Sequence, residues 1–136
     1  MAQAGDIADL IGRIRRARCV YVIGNGGSFA NAMHIANDLL SVGVRAFTLD
    51  AASLTALAND YGYRDVFSRW IDTVGEEGEL LIALSGSGTS ENITRALVTA
   101  QTKNMDTALI SWYLQGEMDM QRSEEEQVRL GHQWMR

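Results

Sequence analysis

Proline is absent from all 136 residues, although it makes up about 5% of an average protein. Loops of this chain therefore turn on Gly, Asn, Asp and Ser. Cysteine occurs once, at Cys19 inside an apolar run. A lone cysteine excludes an intrachain disulfide, and its setting reads as a buried core thiol rather than a nucleophile. That usage fits a reducing compartment, so a cytoplasmic location is expected. No apolar stretch approaches the roughly 20 residues of a membrane span, and the first residues lack a signal-peptide pattern. Excess positive charge is missing as well: 12 Lys and Arg stand against 17 Asp and Glu, a net charge of −5. A phosphate-backbone binder usually carries a basic face, so neither a nucleic acid nor a membrane is an expected partner. Arg13, Arg15, Arg16 and Arg18 do cluster, as the solvated side and end of a first helix. There is no internal repeat, low-complexity segment or linker, and the length suits one domain over 1–136.

What is present is alternation. Ile7, Leu10, Ile11 and Ile14 have helical spacing within 6–16. Residues 19–23 form a continuous apolar run suited to a buried parallel strand. A helix over 28–40 follows, with Ser28 read as its N-cap. A second strand is expected over 44–49. Short helices over 53–58 and 63–74 are separated by a break at Asn59-Asp60-Tyr61-Gly62. A third strand covers 80–84. A helix over 90–102 follows, with Ser90 as N-cap. A fourth strand covers 107–112 and a closing helix 124–135. This order calls for an α/β fold: a doubly wound, flavodoxin-like parallel sheet with helices on both faces.

Two loops stand out. Gly24-Asn25-Gly26-Gly27-Ser28 follows the first strand, and Ser85-Gly86-Ser87-Gly88-Thr89-Ser90 follows the third. A strand that ends in small residues and then starts a helix offers backbone N–H groups, hydroxyl donors and the positive end of a helix dipole. An anion of phosphate size suits such a socket. Neither loop has dinucleotide-fingerprint or Walker spacing. One such loop reads equally well as a tight turn; two in matching positions favour a ligand.

The two histidines both sit on predicted helices beside carboxylates. His34 and Asp38 are four residues apart and share a helix face. Such a pair serves either as divalent-metal ligands or as an ordinary surface hydrogen bond. Glu124 and His132, about 80° apart around the closing helix, share a broad face too. Together they make a His, Asp, Glu, His set whose mixed nitrogen and oxygen donors suit zinc or a similar ion.

Gly24-Asn25-Gly26-Gly27-Ser28 with Asn31-Ala32-Met33-His34-Ile35-Ala36-Asn37-Asp38-Leu39, then Ala58-Asn59-Asp60-Tyr61-Gly62-Tyr63, then Leu84-Ser85-Gly86-Ser87-Gly88-Thr89-Ser90-Glu91-Asn92, resemble the SIS (sugar isomerase) domain family, and within it the phosphoheptose isomerases. The resemblance spans roughly 20–110 and resumes near Gln121. It implies a 1,2 aldose–ketose isomerisation of sedoheptulose 7-phosphate to the mannoheptose 7-phosphate through an enediolate. It implies one zinc ion per site, held by His34, Asp38, Glu124 and His132. Asp38 and His132 are the implied acid/base pair. Asn25, Gly26, Gly27, Ser28, Asn59, Asp60 and Glu124 match substrate positions, and Ser85, Gly86, Ser87 and Ser90 match phosphate-loop positions. A homo-oligomer, tetramer or dimer, with sites between subunits is implied as well.

The chain departs from that pattern. Asp38 stands where the family has glutamate, which shortens the reach by about 1.5 Å. Gly86 replaces a threonine, Val42 an arginine, Gln121 an aspartate and Glu124 a glutamine. Against the family, the domain over 1–136 is short at its start and before the last helix. These departures keep an alternative open: a non-catalytic SIS module that binds a phosphosugar or a replication-initiator protein. A different phosphosugar substrate is a third reading.

Overall fold

A computed structural model describes residues 4–111, with side chains from Ile7 onward. The elements are α1 (Ala4–Arg16), β1 (Val20–Gly24), α2 (Gly27–Ser41), β2 (Ala46–Phe47), α3 (Ala51–Tyr61), a 3₁₀ turn (Tyr63–Asp65), α4 (Val66–Val74), β3 (Leu80–Leu84), α5 (Glu91–Thr102) and β4 (Asp106–Ile110). All four strands are parallel, in the order β2-β1-β3-β4. This is the α/β layering expected from alternation. The expected closing helix over 124–135 lies outside the described residues.

The central strands β1 and β3 are apolar on both faces because helices cover both. Val20, Val22, Leu80, Ile82 and Leu84 pack against Leu10 and Ile14 of α1 and Ile35 and Leu39 of α2. Tyr21, Ile23, Leu81 and Ala83 pack against Phe67 and Ile71 of α4 and Ile93, Ala96 and Ala100 of α5. Cys19 is buried, and burial pushes its thiol up in pKa. At the amino ends of the strands the carboxylate of Glu79, itself buried, accepts from the Tyr21 hydroxyl and from Glu76 N. Burial holds the Tyr21 phenol well above its usual range.

The arginine cluster does end α1, but one member reaches further. Arg13 donates to both carboxylate oxygens of Asp106, at 2.7 and 2.6 Å, and to Thr107 O at 2.6 Å. That pins α1 to the first residues of β4, at the rim of the described sheet.

Four expected boundaries differ. Ser28 does not cap α2; Gly26 does, at φ 55°, and Ser28 is buried within the first turn. A residue with a Cβ is strained at that φ, so the cap had to be glycine. β2 is two residues rather than six, because it pairs only with Val20 and Tyr21 before the chain leaves for α3. The expected break at Asn59-Asp60-Tyr61-Gly62 narrows to Gly62: α3 starts at Ala51 under an Asp50 cap, with Ser53 N donating to Asp50 Oδ1 at 2.8 Å, and runs through Tyr61. Gly62, at φ 90°, stops it. β4 begins at Asp106 and the described strand ends at Ile110.

Candidate functional site

Strand order decides where the site lies. β1 sends its helix, α2, to one face and passes to β2; β3 sends its helix, α5, to the other face and passes to β4. β1 and β3 are neighbours, with Ile23 opposite Ala83 and Gly24 opposite Leu84. The chain therefore diverges between them, which leaves a crevice at their carboxyl ends. Both serine- and glycine-rich loops rise from those two strand ends.

The first loop is shaped by its glycines. A Cβ on Gly24 would lie 2.6 Å from Ser28 O, so the strand can turn into α2 this tightly only with glycine there. The turn closes through Ser28 N donating to Asn25 O at 2.9 Å and Ala30 N donating to Gly26 O at 3.1 Å. Gly27 opens α2.

In the second loop, Ser85 is buried, and its Oγ accepts from Gly88 N at 3.0 Å. Ser87 is exposed, and its Oγ accepts from Thr89 N at 3.2 Å and from the Thr89 hydroxyl at 3.1 Å. Each oxygen acts as an acceptor inside the loop, which leaves its own O–H to donate to a guest. Gly86 between them is buried. Ser90 is the N-cap residue of α5, but its hydroxyl makes no capping bond. The orphan N–H groups of the first turn of α5 therefore lie beside a hydroxyl that is not used for capping.

Asn25 joins the two loops. Its Nδ2 donates to Asn92 Oδ1 at 2.8 Å, and Asn92 Nδ2 donates back to Asn25 Oδ1 at 2.9 Å. The Tyr63 hydroxyl donates to the same Asn25 oxygen at 2.7 Å. Asn92 and Tyr63 were not among the expected site residues. Asn92 carried a signal: it shares a helical stripe with Ala96 and Ala100, where a buried amide breaks an otherwise small apolar face.

Asn59 and Asp60 lie exposed on the last turn of α3, with Asn59 Nδ2 donating to Asp60 Oδ1 at 3.2 Å. Tyr63, three residues past Asp60, ties that end of the helix to the first loop.

His34 and Asp38 lie further along α2, and His34 Nε2 is 3.0 Å from Asp38 Oδ2. With Asn31 they form one stripe that runs away from the first loop at i, i+3 and i+7. An imidazole and a carboxylate so close supply two donors of the kind a divalent ion takes. Among the described residues no third His, Cys, Asp or Glu joins them. Glu124 and His132, the other expected ligands, lie outside the described residues.

Residues 2–111 match the SIS domain family. The phosphoheptose isomerase of Sulfurimonas denitrificans is 42% identical over 103 residues, covering 70% of this chain and 53% of that protein. The phosphoheptose isomerase of Akkermansia muciniphila is 37% identical over 130 residues, covering 86% of this chain and 68% of that protein. Among solved structures, phosphoheptose isomerase GmhA from Neisseria gonorrhoeae superposes with a TM-score of 0.84 at 25% identity, over 95% of this chain and 80% of that one. A phosphoheptose isomerase from Francisella tularensis gives 0.86 at 25% identity, over 98% and 84%. The chain spans about half the length of several curated relatives it matches.

Proposed function

The chain belongs to the SIS domain family, and from that membership we propose that it is a phosphosugar aldose–ketose isomerase that interconverts sedoheptulose 7-phosphate and D-glycero-D-manno-heptose 7-phosphate. One observation carries the reading. Two hydroxyl-bearing loops rise from the adjacent strand ends of β1 and β3, joined by the Asn25–Asn92 amide pair, and the helix leaving the first loop bears a His34–Asp38 pair at 3.0 Å.

The phosphate takes the second loop, from the hydroxyls of Ser85, Ser87 and Ser90, the backbone at Gly86 and the N–H groups that open α5. Asn25, Gly26, Gly27 and Ser28, with Asn59 and Asp60, line the path of the sugar chain. Binding the remote phosphate holds C1 and C2 in register with the acid/base groups. Asp38 removes a proton from C1 of the ketose, exchanges it with solvent, and delivers one to C2, which gives the aldose. His132 serves the hydroxyl protons on the two oxygens.

A zinc ion fits the donor chemistry of His34 and Asp38, with Glu124 and His132 completing the set; when bound it supplies a Lewis acid where enediolate charge develops. The protein acts in the cytoplasm as a homo-oligomer, a tetramer or dimer, with sites between subunits. Supporting assembly, Met33 and Leu40 of α2 and Tyr61 at the end of α3 are exposed.

The test is incubation of zinc-loaded protein with sedoheptulose 7-phosphate, followed by NMR. Appearance of the aldose is expected. Phosphate-dependent stabilisation without any aldose would replace this reading with a non-catalytic phosphosugar-binding module, which the shortened reach of Asp38 favours.

A further inference from the structure

We infer that Asn92 and Tyr63 are positioning residues that lock the two substrate loops together through the side chain of Asn25; the inference rests on the reading of those loops as a phosphosugar site. Asn25 Oδ1 accepts from Asn92 Nδ2 at 2.9 Å and from the Tyr63 hydroxyl at 2.7 Å. Both of its lone pairs are occupied by protein. One of its two N–H bonds is occupied as well, by Asn92 Oδ1 at 2.8 Å. Asn25 keeps a single N–H for a ligand, so its larger contribution is mechanical.

Asn92 is the buried half of the pair, 5% exposed in the first turn of α5. A buried amide stripped of its partners loses its hydrogen bonds without regaining water. That penalty falls on any arrangement in which the first turn of α5 slips relative to the first loop. The sheet already aligns Gly24 with Leu84. The amide pair carries this alignment past the strand ends and into the loops, across 67 residues of sequence. Tyr63 adds the segment after α3 to the same point, and edge-to-face packing on Phe67 at 6.4 Å steadies its ring. The sugar chain and its phosphate must be gripped at once by groups from both loops. A displacement of about 1 Å between them costs up to a hundredfold in rate or affinity.

The experiment uses the full chain and four variants: Asn25→Ala, Asn92→Ala, their double variant, and Tyr63→Phe. Amide hydrogen exchange is read over 85–90, and KM and kcat are read with sedoheptulose 7-phosphate. Asn25→Ala, on the far side of the crevice, is expected to speed exchange over 85–90 by about tenfold or more. Asn92→Ala is expected to raise KM about tenfold while kcat falls less than about threefold. The double variant should be no worse than the worse single one, as expected for two halves of one contact. Tyr63→Phe keeps the ring packing, so it folds even if an alanine variant does not, and it should raise KM by about two- to fivefold. Unchanged exchange over 85–90 in Asn25→Ala, multiplying KM effects in the double variant, or a wild-type KM in Tyr63→Phe would each overturn the inference. A wild-type protein that produces no aldose would instead remove the isomerase reading, and the exchange experiment would still decide the latch.

Discussion

His34 Nε2 lies 3.0 Å from Asp38 Oδ2, one helical turn along α2, with Asp38 the less exposed of the two. The carboxylate is held by a neighbour that is itself a metal-type donor, at the height on α2 where substrate chemistry is proposed. Asp38→Asn keeps the shape of the side chain and removes its charge and basicity. It should lower turnover by about 10²–10⁴ and lower bound zinc, with the melting temperature little changed. Zinc content by mass spectrometry and steady-state kinetics check both. Near-normal turnover in that variant would remove Asp38 from the reaction.

Ser87 contributes an exposed hydroxyl whose oxygen is already engaged by Thr89. On the proposed reading, its O–H is the part offered to phosphate. Ser87→Ala should weaken substrate binding by about 1–3 kcal/mol, seen as a raised KM with a smaller change in kcat. Competition by inorganic phosphate should weaken in parallel. An unchanged KM would detach the second loop from the phosphate.

Tyr21 and Glu79 sit at the opposite end of the strands from the two loops. The Tyr21 hydroxyl is 2.9 Å from both Val74 O and Glu79 Oε1. Tyr21→Phe removes the one O–H that lies between the buried Glu79 carboxylate and Val74 O, at a cost of about 1–3 kcal/mol. Urea denaturation should show the loss, and KM should not move, because the change lies at the amino ends of the strands, away from the loops.

Asp106 gives a pH signature. Hydrogen bonding to Arg13 holds its carboxyl below the usual carboxylate range. A depressed folded-state pKa means the contribution is complete above the unfolded value, about 3.9, and is lost as pH falls through the folded one. The Asp106 side chain is 48% exposed, so the contribution is small, about 0.5 kcal/mol. Asp106→Asn should therefore be slightly less stable than the parent at about pH 6, with the gap closing as pH falls below the unfolded carboxylate value and through the folded one. A stability gap that stays constant from about pH 6 down into the acid range would contradict the pairing.

The layering of the fold was legible because buried parallel strands write themselves as unbroken apolar runs, and Leu80–Leu84 begins and ends as the pattern says. Local chemistry misled where two signals competed. Ser28 looked like a cap, but the positive φ at the position before Gly27 demanded glycine, so the cap is Gly26. Asn59-Asp60 looked like a break; partial packing of Leu54 and Leu57 on the core carries α3 through to Tyr61, and Gly62 makes the stop. In the candidate site, the loops and the His34–Asp38 pair could be read from spacing, since each is local. The Asn25–Asn92–Tyr63 network could not, because its partners lie 38 and 67 residues from Asn25 and meet only once the sheet has formed.

Solvent exchange at carbon tests the isomerase account most directly. The zinc-loaded protein is incubated with sedoheptulose 7-phosphate in deuterium oxide, and both sugars are examined by NMR. Proton transfer by Asp38 predicts deuterium at C2 of the aldose and at C1 of the recovered ketose. Folded, zinc-loaded protein that leaves both carbons fully protiated and makes no aldose would contradict it.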